Sequence, residues 1–106
     1  MATDVQLRKY HDFLRRMREV DSTMPIQQAH ILLIVALYPG LSVSEIMTRC
    51  GLTHAATSRG LSSLGDRALN KSPGLGLVAQ YTDHDDRRIE RHRLTPKGDR
   101  FIQSLE

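Results

Sequence analysis

Asp86 and Arg88 stand two residues apart within the stretch DHDDRRIERHRLTPKG, which runs from Asp83 to Gly98. On an extended strand that spacing puts both side chains on one face, so the carboxylate can hold the guanidinium by a charge-assisted hydrogen bond. An arginine held this way can be aimed. A second polar group gathers between Thr53 and Leu64. On a helix His54, Ala55, Ser58, Arg59 and Ser62 fall to one side, and Thr57, Leu61 and Leu64 to the other. Small and hydrogen-bonding residues on an outer face let a helix enter the roughly 12 Å major groove, where Ser, His and Arg meet base edges and phosphates. A solvated face has a similar composition, so His54 also reads as an exposed turn residue and Arg59 as a surface charge or salt-bridge partner. Their shared position after a capped turn favours DNA.

Catalytic chemistry has little to stand on. The sequence offers no cysteine–histidine pairing, no phosphate-cradling glycine loop and no close carboxylate pair in a predicted pocket, so no catalytic residue, cofactor or enzymatic activity is expected. Asp83, His84, Asp85 and His92 could gather at a metal if the two histidines faced one another across a hairpin. Turn-forming aspartates at a solvated tip are the commoner explanation, and no metal site is assigned. The single cysteine, Cys50, rules out an internal disulfide framework and leaves a zinc finger without thiolate ligands. On the inner side of a helix it reads as a small apolar filler with a normal or raised pKa rather than a redox switch.

The elements that position these groups follow from local signals. Asp83 to Asp86 is a run of turn formers, Leu75 to Tyr81 and Ile89 to Leu94 can extend as two strands, and Thr95-Pro96 reads as an N-cap with proline in the first helical position. Together they make a hairpin followed by a last helix, Thr95 to Glu106, with Phe101, Ile102 and Leu105 as its apolar contacts. Upstream, Ser42-Val43-Ser44-Glu45 matches a capping box and opens a helix that buries Val43, Ile46, Met47 and Cys50. Gly51 suits a left-handed C-cap, Leu52 turns back to the core and Thr53 caps the next helix, which is the spacing of a helix-turn-helix. Pro25 opens an earlier helix that Pro39-Gly40 stops near Tyr38. Its all-apolar run Ile31 to Leu37 predicts a central pillar, with His30 tipped toward solvent at its edge. Thr3 or Asp4 caps a first helix with Leu7, Tyr10, Phe13, Leu14, Met17 and Val20 on one stripe. That stripe needs cover, from the chain's own core or from a second subunit.

Length and composition set the scale. With 106 residues, 40% hydrophobic content and only five aromatics, a single domain with a modest aliphatic core is expected over residues 1–106. It divides into an N-terminal dimerisation or packing helix (1–21), the helix-turn-helix (42–64), a wing (75–94) and a C-terminal helix (95–106), with a loop from Gly65 to Gly74. Net charge is +3, yet Asp83 to Arg93 carries four acidic residues against four arginines, so any case for DNA rests on geometry. The longest apolar run is far short of the roughly 20 residues that span a bilayer, and no signal-peptide pattern opens the chain. A cytoplasmic protein without membrane association is expected.

Ser42 to Leu64, then Asp86-Arg87-Arg88, then Leu94-Thr95-Pro96-Lys97-Gly98 resembles the winged helix-turn-helix regulators of the multiple-antibiotic-resistance (MarR) type. In that family the hairpin reads D-R-R, five residues, then L-T-x-K-G, and the recognition helix carries a core here matched by Thr57, Ser58, Arg59 and Leu64. The resemblance spans roughly residues 24 to 104. It implies a mainly α fold with a small β-hairpin, a recognition helix lined by Thr53, His54, Ser58, Arg59 and Ser62, and a wing from which Arg88, oriented by Asp86, reaches the minor groove. It further implies a homodimer on a pseudo-palindromic operator and, in many members, release of DNA by a small aromatic acid. The sequence departs from the pattern at Arg91 and His92, usually apolar, at Thr57, usually valine, in an enlarged loop at Asn70 to Gly74, and in lacking long terminal helices. Dimerisation is then expected from Leu7, Tyr10, Phe13, Leu14 and Met17 with Phe101, Ile102 and Leu105, and a small-molecule effector pocket is not expected. The leading expectation is sequence-specific binding of double-stranded DNA by a transcriptional regulator, with Arg59, Arg87 and Arg93 on phosphates and His54, Ser58 and Arg88 supplying selectivity. The alternative is a winged-helix protein–protein interaction module that uses its first helix.

Overall fold

The computed structural model describes residues 1–66 and 73–105. Five helices and a three-stranded antiparallel sheet follow the order α1 (Asp4–Val20), α2 (Ile26–Leu37), β1 (Leu41–Ser42), α3 (Val43–Cys50), α4 (His54–Leu64), β2 (Val78–Thr82), β3 (Glu90–Leu94) and α5 (Pro96–Gln103). The architecture is a winged helix, mainly α with a small sheet. Most of the expected enlarged loop at Asn70 to Gly74 lies outside the described residues.

Local chemistry accounts for the helix starts. Thr3 caps α1, and its hydroxyl and the Gln6 amide satisfy each other's backbone N–H groups in a capping box. The Ser42–Glu45 box opens α3, Thr53 accepts from the Ala56 N–H at the start of α4, and Thr95 accepts from Gly98 at the start of α5, with Pro96 just inside. Gly51 closes α3 at φ 69°, in the left-handed region that a side chain disfavours.

The core gathers around α2. Ile31, Leu32, Ile34 and Val35 are buried and meet Met17 of α1, Ile46 of α3, Leu61 and Leu64 of α4, and Leu77 and Val78 at the start of the hairpin. The pillar expected at Ile31 to Leu37 therefore holds except at its end, where Leu37 is exposed. The α1 stripe splits. Met17 is buried and Phe13 and Val20 pack partly against the core, while Leu7, Tyr10 and Leu14 are 54%, 63% and 53% exposed. Phe101, Ile102 and Leu105 also pack partly on the core.

The sheet is ordered β1-β3-β2. β2 and β3 form the hairpin, from Val78↔Leu94 to Thr82↔Glu90, and β1 adds two residue pairs, Leu41↔His92 and Ser42↔Arg91. The third strand escaped the sequence reading because two residues carry no alternation, and their partners lie some fifty positions away. The first hairpin strand starts at Val78 rather than Leu75, since Gly76 takes φ 69° and interrupts the extended run. The last helix ends at Gln103. No helix among the described residues is long and apolar enough to cross a membrane.

Candidate nucleic-acid interface

Two structures present the polar groups, the α3–α4 unit and the β2–β3 hairpin. In α4 the buried side is Thr57, Gly60, Leu61 and Leu64. Thr57 can stand in place of a valine here, because its hydroxyl donates to the Thr53 carbonyl at 2.8 Å and leaves no unpaired polar group on a fully buried side chain. His54, Ala55 and Arg59 are exposed, whereas Ser58 and Ser62 are half-buried at one flank. Those two serines border a polar cleft of about 390 Å³ shared with Gln80 and His92 of the sheet. Arg59 lies on the other flank, in a smaller groove of about 220 Å³ with Gln27 and Gln28 at the start of α2. The expected set of Thr53, His54, Ser58, Arg59 and Ser62 is thus spread over the outward half of one helix, with Thr53 also serving as its cap.

At the hairpin tip, Asp86 and Arg88 meet as a bidentate pair. Arg88 Nε donates to Asp86 Oδ1 at 3.1 Å and Nη2 to Oδ2 at 3.0 Å. The route to this pair differs from the expected one. Neither residue lies on a strand; both sit in the turn before β3, where the Ile89 N–H donates to the Asp86 carbonyl at 3.0 Å. The same carboxylate oxygen that takes Arg88 Nε also accepts the Arg88 backbone N–H at 3.0 Å, so an aspartate turn brings the pair together rather than strand alternation. The guanidinium is braced yet open, for the Arg88 side chain remains 90% exposed.

Arg91 and His92, the two departures from an apolar strand, are both satisfied. His92 is only 3% exposed, and its Nδ1–H donates to the Leu41 carbonyl at 3.0 Å. Arg91 donates from Nε to Asp83 Oδ1 at 2.6 Å and from Nη1 to the Gly40 carbonyl at 2.8 Å. Sequence reasoning passed over Arg91 as a functional candidate. The signal lay in its acceptors, Asp83 and Gly40, which no local pattern connects to it. Of the four residues weighed for a metal, Asp83 is committed to Arg91 and His92 is buried against β1, and the described residues contain no cluster of three His, Cys, Asp or Glu side chains able to hold an ion. Arg93 is exposed and lies over the Tyr81 ring at 4.7 Å, a cation–π contact that steadies it in place. Arg87 is exposed at the tip.

The carboxylates of this region are held ionised. The Arg91 guanidinium, followed by the Asp86 N–H, keeps Asp83 below its ordinary value; the Arg88 guanidinium and N–H do the same for Asp86; the Ser42 N–H and hydroxyl do so for Glu45. A depressed folded pKa means the charged form is favoured by the fold. The resulting stabilisation is complete above the usual carboxylate range of about pH 4 and fades as pH falls through the lower folded values. The wing is therefore expected to keep one conformation from neutral pH down to about pH 4 and to loosen below it. Carbon-detected NMR titration of the Asp83 and Asp86 carboxyls checks this; midpoints at or above those of an unstructured peptide would contradict it. Burial pushes the Cys50 thiol upward, in keeping with a half-buried filler.

A third concavity lies apart from α4 and the hairpin. An apolar groove of about 630 Å³ runs between α1 and α2, with Phe13, Leu14, Met17, Met24, Ile26 and Leu33 along it.

No family model matches the sequence, and no curated protein matches it. Solved structures do. A MarR family transcription regulator superposes with a TM-score of 0.67 at 20% identity, over 96% of this chain and 58% of its own. The MepR–DNA complex of S. aureus gives 0.74 at 18% identity, over 95% and 75%, and the transcriptional repressor CouR bound to a 23-mer DNA duplex gives 0.68 at 28% identity, over 95% and 64%. The chain spans about three-fifths of the length of the first and third of these. Helix order, the three-stranded sheet and the hairpin are common ground, and the signature at Asp86 to Gly98 falls on that hairpin and the start of α5. The protein accordingly has the winged helix-turn-helix fold of the MarR-type transcription regulators.

Proposed function

We propose that this protein is a transcriptional regulator that binds double-stranded DNA in a sequence-specific way, with α4 in the major groove and Arg88 of the wing in the adjacent minor groove. The observation that carries the reading is the Asp86–Arg88 pair: two guanidinium donors are fixed by a carboxylate while the side chain stays 90% exposed. Holding a solvated arginine in one rotamer costs conformational entropy, and an exposed ion pair returns little stability for it. Such an arrangement makes sense where a ligand gains from a pre-oriented cation. Structural relatives in complex with DNA, MepR and CouR, support the same reading.

Roles follow from placement. Exposed His54 and half-buried Ser58 and Ser62 face base edges. Arg59, Arg87 and Arg93 neutralise phosphates, and the Thr53 hydroxyl, which accepts from Ala56, keeps its proton to donate to a phosphate oxygen. Exposed Leu7, Tyr10 and Leu14, continuous with the apolar groove beside α2, favour pairing of α1 with a second copy in a homodimer that sets two recognition helices about one helical turn apart. Met17 is buried in the chain's own core at 2% exposure and meets that surface only as part of the groove lining. The same exposed side chains would also serve a different protein partner, the interaction-module reading; light scattering of the pure protein separates the two, a monomer with no retention of random duplex favouring the module. The reading places the protein in the cytoplasm.

Selection of bound sequences from a random duplex pool tests DNA binding, symmetry and site length together. On the selected duplex, Arg88→Ala is expected to weaken binding by about 1–3 kcal/mol and to lower the salt dependence. An anisotropy titration with an unchanged dissociation constant would remove Arg88 from the minor groove.

A further inference from the structure

We propose that Arg91 is the positioning residue of the wing: it ties the hairpin tip to the N-terminus of α3, and so sets where Arg88 is delivered relative to α4. Two hydrogen-bond acceptors and a neighbouring carboxylate, from three different segments, converge on its guanidinium. Nε donates to Asp83 Oδ1 at 2.6 Å, Nη1 donates to the Gly40 carbonyl at 2.8 Å, and Nη1 lies 3.6 Å from Glu45 Oε1.

On the wing side, the other Asp83 oxygen accepts the backbone N–H groups of Asp85 at 3.1 Å and Asp86 at 2.8 Å. Asp86 is the residue that grips Arg88. On the helix side, Glu45 Oε1 accepts the Ser42 N–H at 3.1 Å, so the carboxylate that faces Arg91 is also half of the box that starts α3. An unbroken series of charge-assisted contacts therefore runs from Arg88 through Asp86, Asp83, Arg91 and Glu45 to the helix-turn-helix. The remaining ties between hairpin and helical unit lie at the hairpin's root, through the sheet pairs Leu41↔His92 and Ser42↔Arg91, the buried Leu77 and Val78 and the Leu77 N–H on the Leu64 carbonyl, and the tip projects beyond them.

The geometry also says why the residue is arginine. One planar fork reaches a carboxylate through Nε and a carbonyl through Nη1 at once; a lysine ammonium is a point charge on a flexible stem and cannot hold both directions. Arg91 is not proposed to touch DNA. Its side chain is only 30% exposed, and Nε and Nη1 are already engaged.

The clamp itself can be read without DNA, whereas its consequence for affinity rests on the function proposed above. Spin labels at His84→Cys on the tip and Ala55→Cys on α4, in a Cys50→Ser background, report the tip-to-helix distance by pulsed electron resonance. A narrow distribution is expected with Arg91, a broadened one in Arg91→Met, and partial narrowing in Arg91→Lys. An Arg91→Met distribution as narrow as that of the parent overturns the proposal. If Arg91→Met does not fold, Asp83→Ala serves instead, since it removes both acceptor oxygens that tie the tip while leaving the Arg91–Gly40 contact in place.

On the selected duplex, Arg91→Met is expected to lose roughly tenfold in affinity, as for about 1.4 kcal/mol, and to add little when combined with Arg88→Ala, because one acts through the other. Fully additive losses would refute action through Arg88. Failure of the parent protein to bind any duplex would instead count against the regulator reading, and the distance measurement would still decide the clamp.

Discussion

Gly98→Ala is expected to destabilise the protein by about 3 kcal/mol or more, a large part of the 5–15 kcal/mol that typically separates folded from unfolded domains. Gly98 sits in the first turn of α5, and a methyl group there would lie 2.9 Å from the carbonyl carbon and 3.2 Å from the Cα of Leu77, with the carbonyl oxygen nearer still. The obstacle is backbone rather than a side chain that could swing aside. To make room α5 must lift off the strand entrance, and its neighbours move with it: the Thr95 N–H donates to the Leu77 carbonyl at 3.0 Å, the Thr95 hydroxyl to the Gly76 carbonyl at 2.6 Å and Lys97 Nζ to the Leu75 carbonyl at 2.9 Å. The Leu-Thr-Pro-Lys-Gly run is therefore a dock for the C-terminal helix, placed to anchor the root of the wing rather than to meet DNA. Urea denaturation checks it. A midpoint within experimental scatter of the parent's would show that α5 slides freely, contrary to this packing.

A comparable loss, about 3 kcal/mol, is expected from Gly60→Val in the middle of α4. A Cβ at residue 60 would stand 2.5 Å from Ile31 Cδ1, so α4 lies on α2 with no room for a side chain between them. Here the obstacle is the end of a side chain, and that difference is testable. Ile31, fully buried, should cost about 2–5 kcal/mol when cut to alanine, because a cavity remains. The double variant Gly60→Val, Ile31→Ala fills that cavity from the other helix, and its cost should fall short of the sum by about 1–3 kcal/mol. Simple additivity in thermal or urea melts would mean the two residues do not share the space. Because Gly60 sets how closely the proposed recognition helix approaches the pillar, variants here should also disturb duplex binding where they remain folded.

Much of this was legible in the chain. Four of the five helix starts were marked by a residue able to accept from its own first turn, at Thr3, Ser42, Thr53 and Thr95, α2 was marked by Pro25 alone, and Gly51 marked the turn between α3 and α4. These signals act over three or four residues, so sequence spacing alone reveals them. The Asp86–Arg88 contact was foreseen from a two-residue spacing, although a turn and not a strand creates it. The likeness to MarR-type regulators was carried by the same short-range spacing, and the fold bears it out.

What the sequence determined by itself, then, is where helices begin, where the chain reverses and which charged pair tips the hairpin. Only the tertiary structure decided the remainder. It made β1 a strand, gave Arg91 a carbonyl 51 positions away, buried His92 against Leu41, took Met17 into the core while leaving Leu7, Tyr10 and Leu14 outside, and turned Gly98 from a signature residue into a steric necessity. The physical reason is range. Caps and turns are settled by groups a few bonds apart, whereas a buried histidine or a three-way arginine is stable only once distant segments have met to supply its acceptors.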